Sequence, residues 1–165
     1  MGYHTRFMGS FKINEPVNEE VATLLRGLQQ TRRMKRNNQL LIEAGFGDCG
    51  EDGEFFCLDD GNFGQDSHPA SIVNYNQPPA TQPSLWCRWK LQEDKQTIEW
   101  DGEEIFYCYV EWIQYLIEKV LSPSHYTVEG CVNYSGENIG DYGSICISDN
   151  QIQDNYQNRT DFKST

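Results

Sequence analysis

Six carboxylates crowd into the thirteen residues DCGEDGEFFCLDD: Asp48, Glu51, Asp52, Glu54, Asp59 and Asp60. Acids at that density can hold a hard cation, share protons in catalysis, or present a polyanion to a basic surface. The first option fails on spacing. Asp48, Asp52 and Gly53 match the first, fifth and sixth positions of a calcium loop, but the third is Gly50 and the twelfth is Asp59 rather than a bidentate Glu. The segment FFCL that follows reads as a strand, where a calcium loop needs a helix. The stretch is therefore expected to be an acidic hairpin, with these six residues as a partner-binding surface.

Other constellations compete for chemistry. Asp101, Glu103 and Glu104 in WDGEEIF could act as an acid–base pair, although acids in that place also suit the start of a helix. Cys49, Cys57 and His68 lack the spacing of a zinc knuckle. His4, His68 and His125 could each serve a thiol, yet no nucleophile motif surrounds any cysteine. The six cysteines include no CxxC pair and mostly fall in apolar stretches, so reduced, buried thiols are expected. SGENIGDYG has glycines but also acids, and it lies between two strands; it reads as a hairpin loop and not as a phosphate cradle. No catalytic residue, metal or cofactor is expected.

Charge narrows the partners. Twenty-five acids face thirteen Lys and Arg, a formal charge of -12. Such a field repels nucleic acid and anionic lipid and favours the basic surfaces of other proteins, with solubility as the alternative reason for it. Four of the cations gather in TRRMKRNN (residues 31–38), which reads as a helix C-terminus complementing the dipole. No apolar run is long enough for a membrane span, and MGYHTRFMG lacks the apolar core of a secretion signal, so a cytoplasmic location is expected.

The elements that must position these groups follow from periodicity. YHTRFMGSFKI alternates as a strand, and after Pro16 an amphipathic helix begins behind the cap Asn18, with Val21, Leu24, Leu25 and Leu28 as its stripe. Short strands are predicted at EFFCL, LWCRWKL and TIEW, and the Pro-rich stretch between the first two reads as a long surface loop with room for one brief extra strand at Ser71 to Tyr75. IFYCYVEWIQYLIEKVL reads as the second helix, ended by Ser122-Pro123, and YTVEGCVNY and GSICISDNQI as two closing strands. The resulting order, β-α-β-β-β-α-β-β, implies an α+β sandwich of two layers: a mostly antiparallel sheet with both helices on one face. One domain over residues 1–153 carries an acidic, Pro-rich loop insertion at about 43–84, and 154–165 form a polar tail.

Taken together, MGYHT, QPSLWCRW, EWDGEE, YVEWIQYLIEKVL, YTVEG, GENIGDYG and ISDNQI resemble a family of short proteins found in bacteriophages and prophage-bearing bacterial genomes. The resemblance covers the first strand and most of the chain after residue 82, and it does not extend to the acidic interval. No activity is established for that family, so it implies a genomic setting and no site residue. The functional expectation is a non-enzymatic inhibitor that occupies the basic surface of a host nucleic-acid-handling or defence protein, such as a CRISPR effector or nuclease. Two rivals are a small enzyme acting on a nucleotide or sugar through the Trp100 carboxylates or a Cys–His pair, and a self-associating structural protein. The enzyme requires a cleft holding an acid or thiol of perturbed pKa.

Overall fold

The computed structural model describes residues 2–58 and 61–157. Strand β1 (Thr5–Ile13) buries Phe7, Phe11 and Ile13 and turns Arg6, Met8 and Lys12 to solvent, as its alternation requires. Helix α1 (Glu19–Gln30) starts where Asn18 accepts a hydrogen bond from the Val21 amide at 2.8 Å, and it buries Val21, Ala22, Leu25 and Leu28. Two short strands and a short helix follow: β2 (Lys35–Arg36), α2 (Asn38–Glu43) and β3 (Ile72–Asn74). β4 (Trp89–Leu91), β5 (Thr97–Trp100), helix α3 (Tyr109–Leu116), β6 (Val128–Gly136), β7 (Tyr142–Ser148) and β8 (Gln151–Gln157) complete the chain.

Six strands form one antiparallel sheet in the order β4-β5-β1-β6-β7-β8, and β2 and β3 form a separate ribbon. Both longer helices cover one face, giving the expected α+β two-layer architecture. Phe7 lies at the centre of the core, with the rings of Tyr109, Trp100, Trp89 and Phe106 at centroid distances of 5.0, 5.3, 5.5 and 5.6 Å. Ring pairs in such tilted and edge-on geometries add to the stabilisation from burial alone. Gly9 and Gly130 let β1 and β6 approach: a Cβ on either, at φ +111° and +125°, would meet a backbone carbonyl of the opposite strand at 2.6 or 2.7 Å.

Several elements differ from expectation. GSICISDNQI is not one strand: Asp149 and Asn150 both take positive φ and turn the chain, so β7 and β8 form a tight hairpin. β8 continues to Gln157, which carries the sheet past the expected domain boundary at residue 153. EFFCL forms no strand, and LWCRWKL is extended in the sheet only over β4. α3 begins at Tyr109 behind a left-handed Cys108, and its ladder widens to a π-helical turn over Ile117–Leu121.

TRRMKRNN is not a helix end either. α1 stops at Gln30, and Arg33 and Arg36 are both buried, each 2% exposed. Arg33 donates to the carbonyls of Glu54 (2.6 Å) and Phe56 (2.8 Å) and to Gln82 Oε1 (3.2 Å). Arg36 donates to the carbonyls of Ser67 (2.8 Å) and Gly64 (3.0 Å) and to Ser71 Oγ (2.9 Å), and stacks 4.2 Å over the Phe56 ring. A segment with so little regular structure leaves its carbonyls without partners, and the planar fork of a guanidinium can serve several at once. The basic cluster therefore holds the insertion onto the domain.

The cysteines also divide. Cys131 and Cys146 face each other across β6 and β7 on the solvent side of the sheet and form a disulfide. Cys49, Cys57, Cys87 and Cys108 are free thiols, as expected of all six. Both bonded cysteines lie at positions that alternate with the buried residues of their strands, contrary to the expected burial, and only the register shows that they meet. Alkylation of the unfolded, unreduced protein is expected to label four thiols, and six after reduction. A Cys131→Ser/Cys146→Ser protein should lose about 2–3 kcal/mol in urea denaturation, the amount expected for closing a loop of this length.

Candidate functional site

Of the six predicted partner-binding acids four are described, and they do not all reach the surface. Glu54 is buried, 4% exposed, and its carboxylate accepts from the hydroxyls of Tyr115 (2.7 Å) and Thr81 (2.9 Å). Gln82 joins the same network, donating to Tyr115 Oη at 2.9 Å and to the Glu54 carbonyl at 2.7 Å. Glu54 is thus a structural acid inside the network that Arg33 completes, and it is not available to a partner. Asp52 is half-buried, accepting from the Ala80 amide at 2.9 Å with Lys35 at 4.0 Å. Asp48 is exposed but committed locally, taking hydrogen bonds from Asn38 and the Gly50 amide that hold its carboxyl below the usual range. Glu51 is exposed. Asp59 and Asp60 lie outside the described residues. A buried Glu beside Phe55 and Phe56 could have been suspected from its apolar neighbours; charge counting hid it.

Acids converge instead at the far edge of the sheet. The helices pack toward β4, so a groove of about 530 Å³ lies open between α3 and β8. Val110, Ile117 and Ile152 give it an apolar floor, Glu118 and Asp154 line its sides, and among the described residues no Lys, Arg or His lines it. Asp154 continues this groove into a tyrosine cluster, accepting from Tyr134 Oη at 2.7 Å, with Tyr109 and Tyr134 ring centroids 5.0 Å apart. Burial raises the pKa of both phenols, and nearby negative charge raises it further: Asp141, Asp154 and Glu111 act on Tyr109, and Asp154 and Asp141 on Tyr134. Asp141 also accepts from the Tyr3 hydroxyl. Next to it, His4 stands between Glu104 (3.7 Å) and Glu137 (3.6 Å).

The local reason lies in β8. Ile152, Asp154 and Tyr156 point to the helix-side face because they pair with Ile147, Ile145 and Gly143 of β7. An Asp in a position that periodicity assigns to the core is the one sequence signal that could have found this site. It was missed because residues from 154 onward read as tail.

The remaining candidates separate clearly. Asp101, Glu103 and Glu104 precede α3 by a loop, so they are not a helix start. Asp101 lies in the wall of a cavity of about 330 Å³, accepting from the Glu103 amide (2.9 Å) and Gln29 Nε2 (3.0 Å). Burial raises its carboxyl pKa, opposed by those hydrogen bonds and by the charge of Arg88. Burial also raises all four free thiols, Cys87 to about 12, which keeps them protonated and disfavours thiolate chemistry. Among the described residues no three His, Cys, Asp or Glu converge as a metal-binding group, and no helix is long and apolar enough to cross a membrane. No known family model, curated protein or solved structure matches the chain.

Proposed function

We propose that this is a non-enzymatic binding protein whose α3–β8 groove receives a cationic surface segment of another protein. The observation that carries the reading is the groove itself: Glu118 from the turn after α3 and Asp154 from an edge strand line it beside Val110, Ile117 and Ile152, with no cation among its described lining residues. Arg and Lys side chains suit that lining twice, by charge and by apolar stems that can lie along its aliphatic residues. The net charge of -12 supplies long-range attraction to a basic partner and disfavours direct nucleic-acid binding. In the phage or prophage setting that the sequence resemblance implies, the partner is a host nucleic-acid-handling or defence protein.

The test is capture of partners from bacterial lysate by the immobilised protein, followed by affinity measurement across ionic strength. Binding should weaken steeply as salt rises, because surface charges beyond about 10 Å are screened at 0.1 M. An affinity that is flat between low and high salt would remove the electrostatic basis of the proposal. A second reading, a small-molecule enzyme, is favoured by one observation: Asp101 is a carboxylic acid with a raised pKa at a cavity wall, as an acid catalyst would be.

A further inference from the structure

Arg88 is half-buried and differs from the two buried arginines. Its side chain is 19% exposed, and among the described residues it makes no hydrogen bond; its Nε is wholly buried and unpartnered. Arg33 and Arg36 show the contrast, since each spends its guanidinium on several acceptors in the same protein. Arg88 has two neighbours: the Trp86 ring, 4.8 Å from the guanidinium carbon, and Asp101, whose carboxylate is 4.0 Å from Nη1. A ring face leaves the in-plane N–H donors unmet, and 4.0 Å is an ion pair without a hydrogen bond. Nε is sealed from solvent, but the guanidinium as a whole has no hydrogen bond among the described residues and belongs to a residue that lines a cavity, and a donor left unmet there marks a place for an acceptor.

Arg88 also lines a second cavity, one that Asp101 does not line. A cleft of about 520 Å³ is walled by Pro78, Pro83, Leu85, Trp86, Ile105 and Tyr107, and Arg88 is its one charged lining residue among those described. That volume is in the range of small-molecule sites, which pair apolar walls with a few fixed polar groups. We propose that this cleft binds a small carboxylic acid with a ring-sized apolar body, its carboxylate on the Arg88 fork and its body against the proline and aromatic walls. A planar carboxylate matches the guanidinium edge. One negative charge is favoured over the two of a phosphate monoester, because Asp101 already offsets part of the Arg88 charge and would repel a second. The site is separate from the α3–β8 groove, and neither reading requires the other.

The test is titration with hydrocinnamate, its amide and phenyl phosphate, read by calorimetry and by the Arg88 Nε–H resonance. Hydrocinnamate should bind saturably and shift that resonance. The amide should bind about tenfold more weakly, as expected for losing a charge-assisted hydrogen bond. Arg88→Gln should abolish the preference for acid over amide, and Ile105→Trp, which adds bulk to the cleft wall and keeps Arg88, should abolish binding of both. Thermal melts identify any variant that has unfolded, in which case the acid-against-amide comparison on the unaltered protein decides. Absence of saturable hydrocinnamate binding, equal binding of acid and amide, or tighter binding of phenyl phosphate would each overturn the proposal.

Discussion

An Arg33→Leu variant is expected to lose about 3–5 kcal/mol of stability, because three buried neutral acceptors lose a charged donor at once. Leucine fills part of the volume but leaves the carbonyls of Glu54 and Phe56 and the Gln82 side chain without their donor. Each stranded buried acceptor costs about 1–3 kcal/mol, partly relieved where water enters. Gln82 and Tyr115 would then lose the alignment through which they hold the Glu54 carboxylate. Arg32 is the control. Its guanidinium reaches the Tyr75 carbonyl in an exposed contact, so Arg32→Leu should cost less than about 1 kcal/mol. Urea denaturation measures both, and limited proteolysis should show cleavage within residues 50–84 in the Arg33 variant first. A loss below that of the Arg32 control would mean that the insertion is held by something other than this side chain.

Reversing Asp154 and Glu118 together to lysine is expected to weaken partner binding at least a hundredfold. A close charge pair across an interface contributes about 1.5 kcal/mol or more, so two reversals exceed about 3 kcal/mol, or two decades in Kd. Asp154→Lys also removes the acceptor for Tyr134, so the fold must be controlled separately. Tyr134→Phe deletes that hydrogen bond and leaves the carboxylate in the groove; its affinity should stay within about threefold of the unaltered protein. Neutralising Asp48 and Glu51 should also change affinity by no more than about threefold, because neither lines the groove. If the Asp48 and Glu51 change is the one that abolishes binding, the acidic loop is the interface after all.

Both expected results depend on residues that composition alone misassigns. The -12 charge led toward the densest run of acids, residues 48–60, yet density along the chain does not measure exposure. Glu54 is drawn inward by Tyr115 and Thr81, from residues 61 and 27 positions away. Asp154 and Glu118 have few acidic neighbours in sequence and meet only because β8 and α3 border the same gap. The arginines tell the same story. In TRRMKRNN the side chains looked like solvated cations at a helix end, and two of them instead satisfy carbonyls contributed by residues 54 to 67 and the Ser71 hydroxyl.

What the chain determines by itself is the set of patterns that depend on near neighbours. Alternation in β1 and β6, the stripe of α1 with its Asn18 cap, and the apolar spacing of α3 are local properties, and together they dictate a sheet covered on one face by helices. Tertiary structure alone decides how far the helix layer reaches across that sheet, and hence that a groove remains at β8. It also decides which cysteines meet, which charges are buried, and that Arg88 is left with unmet donors beside a cleft. The physical reason is that periodicity reports which face a side chain takes, whereas burial, pairing and cavity shape depend on residues brought together from distant parts of the chain.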